Sequence, residues 1–283
     1  MDINNLKQHA LNIRRNIVQQ VYDAQSGHPG GSLGCADILT YLYFEKMNIN
    51  KDNVKSTNRD RFVLSKGHCS PALYATLKEA GLLDEDLKTF RQINSKLQGH
   101  PNMNYVDGVD MSTGSLGQGI SCAVGMAIAN KLDKSPNKVY VLCGDGESEE
   151  GIVWEALMAA NHYKLDNLTV IFDVNGLQID GNVQDVIGPL PLKEKAEAFG
   201  AKVVECDGNC FKQLEEAFNV HEEGKVTVII AHTIKGKGVS YMENNYAWHG
   251  AAPKEEDYKI AMEDLKEVKW AWLKRQEMHM VKN

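Results

Sequence analysis

Leu6, Ala10, Ile13, Ile17, Val21 and Ala24 recur at helical spacing, so the first segment predicts an amphipathic helix with one apolar face. That helix is expected to stop at Ser26-Gly27-His28-Pro29-Gly30-Gly31, a run too rich in glycine and proline for helical backbone. A second helix is predicted with Ser70 as N-cap, Pro71 as its first helical residue and Gly81 at its close. A third is expected after Ser112-Thr113-Gly114-Ser115-Leu116-Gly117-Gln118-Gly119. Its Ala123, Gly125, Ala127 and Ala129 would let another element pack closely.

The period changes in the middle of the chain. Residues 138–143 and 168–174 are short, apolar, β-branched runs of the kind that form buried parallel strands, and 150–163 between them reads as a helix. Two further strands, 202–206 and 227–232, flank a helical stretch at 211–223. This alternation predicts an α/β fold: a doubly wound, mainly parallel sheet with helices on both faces. Ligands of such sheets bind beyond the carboxyl ends of the strands, so the candidate chemistry is sought there.

Composition narrows the function. The chain has 283 residues with 31 basic and 38 acidic side chains, a formal charge of −7, which argues against a general nucleic-acid-binding surface. Any anionic ligand therefore needs a local site. No apolar run approaches the ~20 residues that span a bilayer, and Met1-Asp2-Ile3-Asn4-Asn5 has no secretory signal pattern. Six scattered cysteines without a CxxC pair suggest free thiols in the cytoplasm; a zinc site from Cys206 and Cys210 lacks a second ligand pair.

Beyond the first central strand lies Gly144-Asp145-Gly146, and beyond the next lies Asn175. Neighbouring parallel strands would bring Asp145 and Asn175 together. A carboxylate, an amide oxygen and a nearby carbonyl are hard oxygen ligands that suit magnesium shared with phosphates. An ordinary strand-end turn explains Gly-Asp-Gly alone, but the matching Asn175 favours the metal. The glycines do not follow the dinucleotide or Walker patterns. Four histidines have glycine neighbours, namely His28, His68, His100 and His249, and loop histidines can hydrogen-bond substrate oxygens and move protons. A surface-loop reading of each stays open. His9, His162, His221, His232 and His279 take the plain reading. In Thr233-Ile234-Lys235-Gly236-Lys237-Gly238 a lysine could meet a diphosphate, or the loop could simply be solvated. Glu147, Glu149 and Glu150 follow Gly146, where helix-dipole stabilisation accounts for them without function.

These stretches together resemble the transketolases of the thiamine-diphosphate superfamily, and more narrowly the N-terminal, diphosphate-binding subunit of a split transketolase. The resemblance runs through Ser26-Gly27-His28-Pro29-Gly30, Ser65-Lys66-Gly67-His68, Gly99-His100-Pro101, residues 112–119, Gly144-Asp145-Gly146 with Asn175, residues 233–238 and Trp248-His249-Gly250, in the family's order. A 1-deoxyxylulose-5-phosphate synthase would differ around Gly99-His100-Pro101. The resemblance implies that Asp145, Asn175 and the carbonyl of Leu177 hold magnesium, or calcium or manganese. It implies that His68, Gly146, Lys235 and His249 meet the diphosphate of thiamine diphosphate, and that Gly114 and Leu116 meet its aminopyrimidine through backbone. His28, His68, His100 and His249 would be the catalytic histidines, and Glu150 and Glu155 would join a subunit-crossing carboxylate network. Ser115 stands where many relatives have proline.

The implied reaction moves a two-carbon ketol unit from a ketose phosphate to an aldose phosphate, with the fragment held as an enamine on the cofactor. The whole of 1–283 reads as one diphosphate- and metal-binding domain. The sequence ends soon after Trp272 with no candidate pyrimidine-binding or C-terminal domain, so those domains and the activating glutamate are expected on a second chain, in an α2β2 assembly. Other readings are a split transketolase for a sulfo- or branched sugar, another acyloin-forming or 2-oxoacid-processing thiamine enzyme, a non-catalytic regulatory subunit, and a generic nucleotide-binding α/β domain.

Overall fold

A computed structural model describes residues 1–267. His279 and Trp272 lie outside the described residues.

The apolar face of the first segment makes helix α1 (Ile3–Ala24), capped by Asp2, whose side chain accepts the N–H groups of Asn4 and Asn5. Two short helices follow, α2 (Pro29–Gly34) and α3 (Ala36–Tyr41). The glycine-proline run is therefore helical from Pro29 onward, contrary to the expectation from composition. Proline's fixed φ suits the first helical position, and the glycines permit packing that side chains would block. A Cβ on Gly30 would lie 2.8 Å from the Trp248 carbonyl oxygen, and one on Gly34 would lie 3.0 Å from that of Ile234.

Strand β1 (Arg61–Leu64) precedes helix α4 (Ser70–Glu79). Here too the capping expectation needs correction: Cys69 is the N-cap, while Ser70 is already helical and its hydroxyl donates to the Gly99 carbonyl at 2.8 Å. Helix α5 (Gln118–Leu132), strand β2 (Val139–Gly144), helix α6 (Gly151–His162) and strand β3 (Leu168–Val174) lie where the patterning places them. A small hairpin, β4 (Leu177–Gln178) with β5 (Gly181–Asn182), leads into the short helices α7 (Val183–Val186) and α8 (Leu192–Ala198). Then come β6 (Lys202–Asp207), α9 (Phe211–Phe218), β7 (Thr227–His232) and α10 (Glu255–Asp264). Helix α9 stops at Phe218, short of the expected 223.

The five main strands form one parallel sheet in the order β1-β2-β3-β7-β6. Alternation along each strand feeds two separate cores. Tyr140, Leu142, Ile171, Ile229 and Ala231 face one layer with Leu6, Ile13, Ile38, Leu73 and Leu214. Val139, Val141, Val170, Phe172, Val228 and Ile230 face the other, with Ile120, Ala123, Val153, Leu157 and Leu192. Helices thus cover both faces, and the central strands become fully buried, as a parallel sheet requires. The carboxyl ends of β1, β2, β3 and β7 meet along one edge, and the loops leaving them carry the site.

Candidate functional site

Because β2 and β3 are neighbours in register, with Gly144 opposite Asp173, their tips deliver Asp145 and Asn175 to one place. Asp145 is 3% exposed. Its Oδ1 accepts the Gly146 N–H at 2.8 Å, and its Oδ2 accepts those of Asn175 at 3.0 Å and Gly176 at 2.6 Å. Asn175 Oδ1 accepts the Leu177 N–H at 3.1 Å, and the Leu177 carbonyl accepts from Lys235 Nζ at 3.1 Å. The three expected metal ligands therefore share one network.

This donor set fits a hard divalent cation. A carboxylate oxygen that accepts one or two N–H bonds keeps lone-pair capacity for a metal. Burial, and secondarily the Asp173 carboxylate, push the Asp145 carboxyl above its ordinary value, so a bound cation would stabilise its charged form. The Lys235 ammonium on the Leu177 carbonyl shows that this oxygen already attracts a cation.

Lys235 is itself buried, at 2% exposed, which overturns the solvated-loop reading of 233–238. Its Nζ contacts the Leu177 carbonyl and His249 Nδ1, at 3.1 Å each, and it makes no ion pair among the described residues. Burial, followed by the nearby Lys66 charge, lowers its pKa. A buried cation without a contacting anion fits the diphosphate of the expected cofactor. The loop that holds it has Gly236 at φ +77°, and a Cβ there would lie 2.2 Å from the Met242 carbonyl oxygen, so glycine alone fits.

The four glycine-flanked histidines come from four segments and converge. Ring centroids of His28 lie 5.3 Å from His68, 6.4 Å from His100 and 5.5 Å from His249, and His68 lies 5.1 Å from His249. Gly114, in the loop before α5, abuts His100, since a Cβ on it would lie 3.0 Å from that ring. His28 is the N-cap residue of α2, and its Nδ1 is buried without a hydrogen-bond partner. The four rings are thus clustered, not isolated: His28, His68 and His249 are half-buried and His100 is exposed. His9, by contrast, pairs with Glu79 at 2.9 Å and stacks on Phe44.

Burial, reinforced by neighbouring positive groups, holds the imidazole of His28 at a pKa of about 4. The same causes, with Lys235 prominent among the charges, hold His249 at about 3. Both are neutral at pH 7. Between pH 6.5 and about 4 the unfolded chain binds protons at these positions that the folded chain refuses, so they subtract stability as pH falls through that window. The raised carboxyl of Asp145 acts in the opposite sense, so the measurement must be differential. The dependence of melting temperature on pH between 7 and 4.5 is expected to be shallower in His28→Asn than in the unaltered chain. Parallel curves would refute the assignment.

Sequence reasoning missed three features of the site. Glu147 is 2% exposed in a short 3₁₀ turn, and α6 begins only at Gly151, so helix-dipole stabilisation does not account for it. Lys66 and Asp173 form a buried ion pair beneath the histidines, with the Thr233 hydroxyl donating to the same carboxylate. Arg91, its guanidinium donating to Ser26 Oγ at 2.9 Å, adds its charge to those acting on His28 and His100. Lys66 lies within Ser65-Lys66-Gly67-His68; nothing local marks the others. Glu150, the residue before α6, and Glu155, on α6, are both exposed.

Residues 6–278 match the family model described as transketolase, thiamine diphosphate binding domain. The chain is 43% identical over 270 residues to one of the apulose-4-phosphate transketolase subunits of Phocaeicola vulgatus, covering 94% of this chain and 96% of that protein. It is 42% identical over 262 residues to a 6-deoxy-6-sulfo-D-fructose transketolase subunit of a Clostridium species, covering 91% and 95%. The crystal structure of transketolase from Campylobacter jejuni superposes with a TM-score of 0.86 at 38% identity, covering 94% of this chain and 43% of that one. The chain thus spans roughly two-fifths of that longer enzyme and nearly all of the two named subunits.

Proposed function

The chain belongs to the transketolase thiamine diphosphate-binding family, and from that premise we propose that it is the diphosphate- and metal-binding subunit of a two-subunit transketolase. The observation that carries this reading is the meeting, at one sheet edge, of Asp145 and Asn175 with Lys235 and four imidazoles. The reaction is transfer of a two-carbon ketol unit from a ketose phosphate to an aldose phosphate.

Asp145, Asn175 and the Leu177 carbonyl would hold a magnesium ion, or calcium or manganese in its place. Lys235, His68, His249 and the Gly146 N–H would hold the diphosphate, and the backbone of Gly114 and Leu116 would meet the aminopyrimidine. Bound there, thiamine diphosphate supplies a nucleophilic thiazolium carbon and an electron sink for carbon–carbon bond cleavage. The chain's own part is orientation and proton handling. Neutral His28 and His249 can each donate one hydrogen bond and accept another, so they can steady substrate hydroxyls and a developing alkoxide. His68 and His100 complete the ring around them and can relay protons at neighbouring oxygens.

Residues 1–283 form one domain in this proposal. A second chain would bring the pyrimidine-binding and C-terminal domains with the activating glutamate, in an α2β2 assembly. The exposed Glu150 and Glu155 would then face a carboxylate network across the subunit boundary. Among the described residues no helix is long and apolar enough to cross a membrane. We place the assembly in the cytoplasm, without nucleic-acid or membrane partners.

Relatives named for apulose-4-phosphate and for 6-deoxy-6-sulfo-D-fructose favour a second reading of the substrate, in which the acceptor or donor is a specialised sugar. Mixing settles the subunit question. The purified chain should turn over negligibly with ketose and aldose phosphates, and adding the pyrimidine-domain chain from the same genome should restore ketol transfer. Equal turnover by this chain alone would overturn the proposal.

A further inference from the structure

Glu147 is a carboxylate in the wrong place for a simple core residue. It is buried, and it makes no ion pair among the described residues. Such a group is costly unless fully hydrogen-bonded. Oε1 accepts from Ser65 Oγ at 2.5 Å and from the Gly117 N–H at 2.8 Å, while Oε2 accepts the Gly144 N–H at 3.0 Å.

Those three donors belong to three different segments. Ser65 follows β1 and leads into Lys66-Gly67-His68. Gly117 closes the loop that carries Gly114 and Leu116. Gly144 ends β2 immediately before Asp145. The segments approach so tightly that no side chain fits between them: a Cβ on Gly67 would lie 2.7 Å from the Gly114 nitrogen, and one on Gly119 would lie 2.6 Å from Ser65 Oγ. One carboxylate is their shared acceptor.

We propose that Glu147 is a positioning residue that clasps the histidine-bearing, aminopyrimidine-facing and metal-bearing loops in the geometry that receives the cofactor. This rests on the thiamine diphosphate reading of the site. In this role Glu147 acts through the Gly117 and Gly144 backbone and the Ser65 hydroxyl.

The test is calorimetric titration of thiamine diphosphate with magnesium into the chain reconstituted with its pyrimidine-domain partner. Glu147→Gln keeps an acceptor oxygen but loses the charge and one acceptor, and is expected to weaken binding about 10–100-fold, the range for outer-shell partners of a metal site. Ser65→Ala, which removes one bond and leaves the carboxylate in place, should shift affinity in the same direction by less, and it serves if Glu147→Gln does not fold. Amide exchange over 113–118 should speed up in both variants. Asp110 provides the comparison, because it binds Arg59, Arg61 and the Phe62 N–H at the opposite end of β1. Asp110→Asn should lower the melting temperature while leaving cofactor affinity within about twofold, as distant sites do. Glu147→Gln binding like the unaltered complex, or Asp110→Asn weakening binding equally, would overturn the role. No binding by the unaltered complex would instead remove the proposed function, and this role with it.

Discussion

Asp145→Ala is expected to abolish metal-dependent binding of thiamine diphosphate and, with it, ketol transfer by the reconstituted enzyme. Asp145 is the only carboxylate among the three expected metal ligands, so alanine removes the one formal negative charge those three ligands would offer the cation. It also removes the acceptor for three backbone N–H groups, those of Gly146, Asn175 and Gly176, that fold the loop around the metal position. Outer-shell partners typically cost ~10–100-fold in metal affinity, so a direct ligand should cost at least about 100-fold. Asp145→Asn keeps the shape and one acceptor oxygen, and should fall between alanine and the unaltered chain. The cofactor-free fold should suffer far less than binding does, because burial and the neighbouring Asp173 already disfavour a charge there. A proton competes with the metal for the same oxygens, so magnesium affinity should weaken as pH falls through the raised Asp145 value. Titration calorimetry with and without magnesium, beside a thermal melt, separates the two effects. Alanine binding the cofactor as the unaltered chain does would remove Asp145 from the metal site.

Much of this site is legible in the amino-acid pattern, and for an identifiable reason. Residues 139–144 and 168–174 are local, largely apolar runs, and adjacent parallel strands must place their tips together. The pairing of Asp145 with Asn175 follows from pattern alone. Strand β1 leaves no such mark because Arg-Phe-Val-Leu is only four residues long and owes its burial to β2 beside it. Helix α2 is hidden because Gly30 and Gly34 answer to the close approach of the 234–248 segment, and propensity measures nothing of that. Glu147 misleads for a related reason. Its partners lie 82 and 30 residues away as well as 3, and only the last is visible from local spacing. The convergence of four histidines is carried by family resemblance, since four separate loops leave no periodic trace.

Lys66→Met should be the most destabilising single change at the site. Lys66 and Asp173 are 2% and 0% exposed, and the ammonium contacts Asp173 Oδ2 while the Thr233 hydroxyl donates to Oδ1. Burial alone would favour neutral lysine, but the Asp173 carboxylate outweighs it and holds the ammonium protonated well above the ordinary lysine value. Methionine fills a similar volume and strands Asp173 as an uncompensated charge in the core. Breaking a buried pair from one side costs about 3–5 kcal/mol. At ~2–4 °C per kcal/mol for a chain of this size, the melting temperature should fall by about 6–20 °C. Lys66→Met with Asp173→Leu should recover most of that loss, since replacing both partners by apolar groups is often neutral. The folded-state pKa of Lys66 lies above that of the unfolded chain, so the pair's contribution is complete below about pH 10.5 and fades only as pH rises beyond it. The gap between the unaltered chain and Lys66→Met should therefore stay constant through neutral pH and close in strong alkali. A double variant no more stable than Lys66→Met would show that packing, and not a stranded charge, causes the loss.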